Sequence, residues 1–350
     1  MSNGGDKIQY LDTLRAMAAV GVVVIHLTSA LLNMTWIKNM PYWWVGNVVE
    51  SLVRFSVPVF LMLSGATMLG REYVLKDYYK RRLLRVLVPF VFWMLAYWVF
   101  RWLMLKPAVR PSDFTGIMGW AVDLFLNEGI SKHFWYVYMI LFIYLFLPFV
   151  GKYLRRVNKR YLLVAIALWV VALFFVQKIP FNTYRWTGDY GSKLLCYLTY
   201  SGYLLLGYFL TTIDTQRYKI RPVSVAVFAC TVLVAAVGTR LLSGPKMNLS
   251  LYGNLTLNTI LQSVSLFLLL KDTVITNSHV QKIVNTLSAY SYGIYLVHIM
   301  VIGVLFHYGI YWSFAHPVVS IPVLTVGVTT LSFGIIYLIR KIPGGRYVAG

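Results

Sequence analysis

The sequence predicts an all-α, polytopic membrane protein of about ten transmembrane helices, and three observations carry that prediction. Apolar runs of about 20 residues, the length that crosses a ~30 Å hydrocarbon core, recur along the chain. Of the 350 residues, 59% are hydrophobic and only 12% charged, with a mean hydropathy of +0.68; a soluble domain carries about 25% charged residues. The charges sit between the apolar runs and are mostly basic, for a net +21. That placement follows the positive-inside rule, so the basicity points to lipid headgroups and anionic ligands and not to nucleic acid.

Ten spans can be drawn, at about 10–32, 44–69, 86–105, 133–150, 161–179, 194–213, 222–242, 252–270, 292–312 and 317–339. They form one integral-membrane domain over 1–350, with no internal repeat and no linker to a second domain. With the N-terminus inside, 20 of the 32 Lys and Arg fall on inner segments and 10 on outer ones. Both termini are therefore expected in the cytoplasm. Between the third and fourth spans, Asp113–Glu128 has the apolar spacing of an interfacial amphipathic helix, and His279–Leu287 is a second candidate. Cys196 and Cys230 lie in apolar runs, which argues against a disulfide framework, and no histidine spacing suits a metal. No metal is expected.

The first span holds Arg15 and His26. Eleven residues at about 100° each return to within about 20° of the same face, about 16 Å further along. An ionisable group inside the bilayer is costly and usually functional; the plainer alternative is an interhelical hydrogen bond. In the second span Glu50 lies about as far from the outer end as His26 does in the first. A hairpin would bring the two to one depth, where a carboxylate could orient an imidazole base. Equally, Glu50 and Arg54 stand four apart and could neutralise each other. Pro58 and Gly65 mark a bent or closely packed helix.

At the start of the third span, Arg82 and Arg85 are one turn apart and suit a bidentate phosphate clamp, with Lys80 and Arg81 on other faces. Anchoring to anionic headgroups is the alternative. His133 precedes Trp135 at the head of the fourth span. The tryptophan would suit an interfacial belt, and the histidine is less expected there. Ser291, Tyr295 and His298 form one polar stripe in the ninth span, which must face protein or a water-filled cavity.

Taken in order, these features resemble acyltransferase family 3 membrane enzymes. The matching pieces are Arg15-x10-His26, the Pro58–Gly65 segment ending in Leu-Ser-Gly, Arg82-x-x-Arg85, His133-x-Trp135, and Ser291-Tyr-Gly-Ile-Tyr-Leu-x-His298. They cover residue 11 to about 300. The lack of a fused extracytoplasmic domain is similar to the shorter branch that O-acetylates surface glycans such as enterobacterial common antigen. The resemblance implies transfer of an acyl group, usually acetyl, from cytoplasmic acetyl-CoA or another acyl-CoA. The acceptor it implies is a hydroxyl of a cell-envelope polysaccharide or lipid-linked saccharide, and the setting is the bacterial inner membrane. It makes His26 the catalytic histidine, as general base or acyl carrier, with Arg15 its partner and Arg82 and Arg85 the acyl-CoA-associated pair. His133, Trp135, Ser291, Tyr295 and His298 are substrate-site candidates. Glu50 rests on the residues alone. A transporter or flippase of a lipid-linked saccharide would also suit ten spans with a basic inner face, but it has no use for an Arg-x-x-Arg clamp.

Overall fold

The computed structural model describes residues 6–104, 130–176, 190–215 and 220–350, with 113, 115–119 and 122 between them. Among these the chain is helical and has no strand. In order, the helices are α1 (Asp6–Thr35), α2 (Met40–Leu52), α3 (Ser56–Met68), α4 (Leu75–Tyr78), α5 (Leu84–Met104), α6 (Trp135–Leu154) and α7 (Lys159–Val176). They continue with α8 (Tyr190–Tyr200), α9 (Gly202–Thr211), α10 (Ile220–Leu242), α11 (Leu257–Leu270), α12 (Ser278–His307) and α13 (Pro317–Lys341). Nine helical stretches among the described residues are long and apolar enough to cross a membrane. The remaining predicted span, 161–179, is filled by apolar α7 up to the edge of the described residues.

α1 is the central helix, packed against α2, α3, α12 and α13. Its inner half (Leu14, Ala18) joins one buried cluster with Met62 of α3, Tyr203 of α9 and Phe267 of α11. Its outer half (Val23, Leu31) joins a second with Val137 of α6, Leu296 of α12 and Val328 of α13. In lipid such contacts hold by close packing and interhelical hydrogen bonds, since the tails are as apolar as the side chains. The α3–α9 seam is the tightest: a Cβ on Gly65 would lie 1.9 Å from the Leu204 carbonyl oxygen, and one on Gly207 would lie 2.0 Å from that of Met62.

The second span is two helices, α2 and α3, separated at Val53–Phe55. Pro58 is the cause: its ring crowds the carbonyl four residues back and it has no N–H to donate. The third span begins at Leu75, eleven residues before the predicted 86. The basic segment is part of that helical stretch: Tyr79–Leu83 forms a π-helical turn that joins α4 to α5. Tyr78 and Tyr79 donate their hydroxyls to the carbonyls of Tyr144 (2.9 Å) and Leu145 (2.8 Å) on α6, which hold this turn against the bundle.

His279–Leu287, expected as a separate interfacial helix, is instead the first turns of α12, which runs unbroken from Ser278 to His307. No Gly or Pro interrupts 278–292, and Ser288 is bonded to Asp12 and Arg15 of α1, so this stretch docks on the bundle. Of the predicted helix Asp113–Glu128, 115–119 are helical and most of the rest lies outside the described residues. One end of the bundle gathers residues from both chain ends. There Gln9 Nε2 bonds the Ile275 carbonyl (3.2 Å), and Arg340 and Trp93 reach the carbonyls of Ala289 (3.2 Å) and Val348 (3.1 Å).

Candidate active site

A cavity of about 1740 Å³ opens at that same end. Its rim is cationic, with Lys80, Arg81, Arg82 and Arg85 on one side and Arg340 and Arg346 on the other. Lys80, Arg81, Arg82 and Arg85 all line the cavity, the first three from the π turn and Arg85 from the first turn of α5, so Lys80 and Arg81 are not turned away from it. Arg82 is half-buried, while Lys80, Arg81 and Arg85 are exposed.

One layer further in, Arg15 Nη1 donates to Asp12 Oδ1 (2.9 Å) and to Ser288 Oγ (3.0 Å), and Ser288 donates to the same carboxylate (2.6 Å). This triangle ties α1 to α12 and keeps Arg15 on the cavity wall. Beyond it the lining becomes hydroxyl-rich: Ser64 hydrogen-bonded to Tyr144 (3.0 Å), then Ser291, Tyr292, Tyr136 and Tyr295.

Behind Tyr295 stand three histidines from three elements. The ring centroids of His26 (α1) and His298 (α12) are 5.2 Å apart. Those of His133 and His298 are also 5.2 Å apart, and those of His26 and His133 are 6.4 Å apart. Tyr295 organises the group. Its hydroxyl donates to the His133 carbonyl, its own carbonyl accepts from His298 Nδ1 (2.7 Å), and its ring lies 5.3 Å from that of His133. His133, in a 3-10 turn ahead of α6, shares a 2.7 Å hydrogen bond between Nδ1 and Ser131 Oγ. The Nε2 atoms of His133 and His298 are buried and have no hydrogen-bond partner among the described residues. Buried polar atoms are ordinarily paired, so two bare nitrogens in one histidine cluster behind the cavity-lining Tyr295 point to a ligand.

The family model described as an acyltransferase domain matches residues 8–339. The chain belongs to acyltransferase family 3. No curated protein and no solved structure matches it.

In this multi-pass membrane acyltransferase the fold brings Arg15, Arg82, Arg85, Ser291 and Tyr295 to one cavity. His26, His133 and His298 are not among its lining residues and cluster behind Tyr295, whose ring is 5.3 Å from that of His133 and 5.8 Å from that of His298. Two predicted site residues lie elsewhere. Trp135 stacks on Tyr136 and on Tyr200 of α8 (5.4 Å) and is not among the lining residues. Glu50 is buried and held by Arg54 Nη1 (2.8 Å) and the Thr28 hydroxyl; Arg54 also donates to the Tyr252 carbonyl. Depth counting was sound, since Thr28 is only two residues past His26. Two residues are about 200° of helix, however, so Glu50 meets α1 on the side away from the histidines. Sequence reasoning missed Tyr136, Tyr144, Arg340 and Arg346. All four have strong local alternatives, as belt aromatics or flanking charges, and only the tertiary fold brings them to the cavity.

Proposed function

We propose that this acyltransferase is an O-acetyltransferase of the bacterial inner membrane, moving acetyl from cytoplasmic acetyl-CoA to a hydroxyl of a cell-envelope polysaccharide or lipid-linked saccharide. The observation that carries this reading is one cavity lined by cations and by serine and tyrosine hydroxyls, with a cluster of three histidines behind its lining residue Tyr295. Arg82 and Arg85 at the mouth suit the phosphates of CoA, for which guanidinium forks are well shaped. The tyrosine and serine hydroxyls suit the amides of a pantetheine arm. The distance from Arg15 to His26, about 16 Å along the helix, suits that arm's extended reach.

His26 then acts as general base. The acceptor oxygen gives its proton to His26 and attacks the thioester carbonyl. The new C–O bond forms as the C–S bond breaks, and the proton passes to the departing sulfur. A thioester lies above an oxygen ester in free energy, so no other energy source is needed. Arg15, held by Asp12 and Ser288, supplies fixed positive charge on the donor's path. Glu50 supports α1 from behind through Arg54 and Thr28.

Mass spectrometry of envelope glycans from cells with and without the chain tests the reading. Acetylated species should appear with the wild type and vanish with His26→Ala, while purified His26→Ala protein should still show a thermal shift with CoA. Removing a general base costs about 10²- to 10⁴-fold, so a tenth of the activity surviving in His26→Ala would remove the histidine from this role. A purified protein indifferent to CoA would favour the flippase instead.

A further inference from the structure

A base inside a bilayer needs a group that fixes which of its nitrogens carries the proton. In hydrolytic triads a carboxylate does this. Glu50, the carboxylate nearest to His26 in depth, is committed to Arg54 and Thr28 on the far side of α1. The side chain that does face His26 at short range is another imidazole. His298 is fully buried, its ring centroid lies 5.2 Å from that of His26, and its Nδ1 is pinned at 2.7 Å to the Tyr295 carbonyl. A carbonyl can only accept, so Nδ1 carries the proton and Nε2 is left as a bare acceptor. That nitrogen has no partner among the described residues.

His133 is the weaker candidate for the same task. Its ring is further from His26, at 6.4 Å, and its Nδ1 is held by the Ser131 hydroxyl, which can donate or accept.

We infer that His298 is a positioning residue whose bare Nε2 accepts the N–H of His26, so that His26 presents its other nitrogen, unprotonated, to the acceptor hydroxyl. The structure holds the second link of the chain, His298 Nδ1–H to the Tyr295 carbonyl; the first, His26 N–H to His298 Nε2, forms when the two rings close from their present 5.2 Å centroid separation. An imidazole in place of a carboxylate keeps a second buried charge out of the bilayer, where each is costly. The inference rests on His26 being the base.

The test compares His26→Ala, His298→Ala and His298→Gln. The readout is CoA-thiol release from acetyl-CoA by membrane vesicles carrying the chain, above the rate of vesicles without it. His298→Ala should lower the rate at saturating acetyl-CoA by about 10²-fold or more, with KM for acetyl-CoA within about threefold, since an unfixed base is lost without touching the donor site. Glutamine places an amide oxygen near the position of Nε2, so His298→Gln should recover about tenfold over the alanine variant. A His298→Ala rate within about threefold of wild type, a loss confined to KM, or glutamine no better than alanine would each overturn the inference. If the alanine variant does not insert, His298→Gln decides alone, and a rate as low as that of His26→Ala sinks the idea. If His26→Ala itself stays active, the fault lies with the base assignment and not with His298.

Discussion

Arg82 is the half-buried member of the basic rim, and its position separates two roles that the sequence left open. A headgroup anchor has to reach lipid, whereas Arg82 is turned into the cavity wall with Tyr144 and Ser64 as fellow lining residues. Charge-assisted hydrogen bonds contribute about 1.5–3 kcal/mol each, so Arg82→Gln should weaken CoA binding by tenfold to about a hundredfold. Arg82→Lys should recover little, because a point charge cannot reproduce a planar fork. The same change at exposed Lys80 or Arg81 should cost severalfold at most, through the loss of general attraction. Calorimetric titration of CoA into the four variants checks the ranking, and equal losses at all positions would make the rim merely basic. The arginine pair, the Arg15–His26 spacing and the Ser291–Tyr295–His298 stripe were all legible because each is a local periodicity on one helix. Trp135 was not, because a tryptophan next to a site histidine can still point the other way, here onto Tyr200.

The helix pair α1 and α2 carries a buried ion pair whose role is decided by direction rather than depth. Glu50 is buried and Arg54 half-buried, the two bonded at 2.8 Å and closed off by Thr28 and Tyr252. Removing one partner of such a pair leaves an uncompensated buried charge and costs about 3–5 kcal/mol, while replacing both by apolar residues of similar size is often close to neutral. Glu50→Ala should therefore lower the thermal stability of the detergent-solubilised protein sharply, and the double change Glu50→Leu with Arg54→Met should restore most of it. Activity is expected to follow stability in that series. A double variant that is stable but inactive would return Glu50 to the chemistry. The sequence supplied the pairing at i,i+4 and the common depth with His26. It could not supply the rotation of α2 about α1, where Gly46 of α2 packs closely against Leu31 and Leu32 of α1. Helix lengths suffered in the same way: α12 reads as two pieces from charge and hydropathy, yet the Asp12–Arg15–Ser288 bonds make one helix of them.

Across the bundle, α12 and α13 meet at the cavity, where Arg340 donates to the carbonyls of Ala289 and Gly350. Ten crossings, as drawn from the sequence, would put both chain ends on one side, and the 20-to-10 basic bias is the reason to propose that this side is cytoplasmic. Reporter fusions at Asn3 and at Gly350 should both give a cytoplasmic signal; an external signal from either would invert the donor side of the cavity as well. Nine of the ten predicted spans, those found among the described residues, were readable from hydropathy because each crossing needs about 20 apolar residues. The cavity was not, since it is the space left between α1, α3, α5, α6, α12 and α13 once their packing is settled.

The π turn at Tyr79–Leu83 makes the rim a matter of register. One residue more than an α-helical turn needs is accommodated there, and each residue in a helix is worth about 100° of rotation. Deleting any one of the five would straighten the turn and swing everything ahead of it through about that angle. Tyr78 and Tyr79 would then leave the α6 carbonyls that hold them, without any of the remaining side chains having been changed. The charge of the mouth is thus written in which residues are basic, but its direction is written in how many residues lie between two helices.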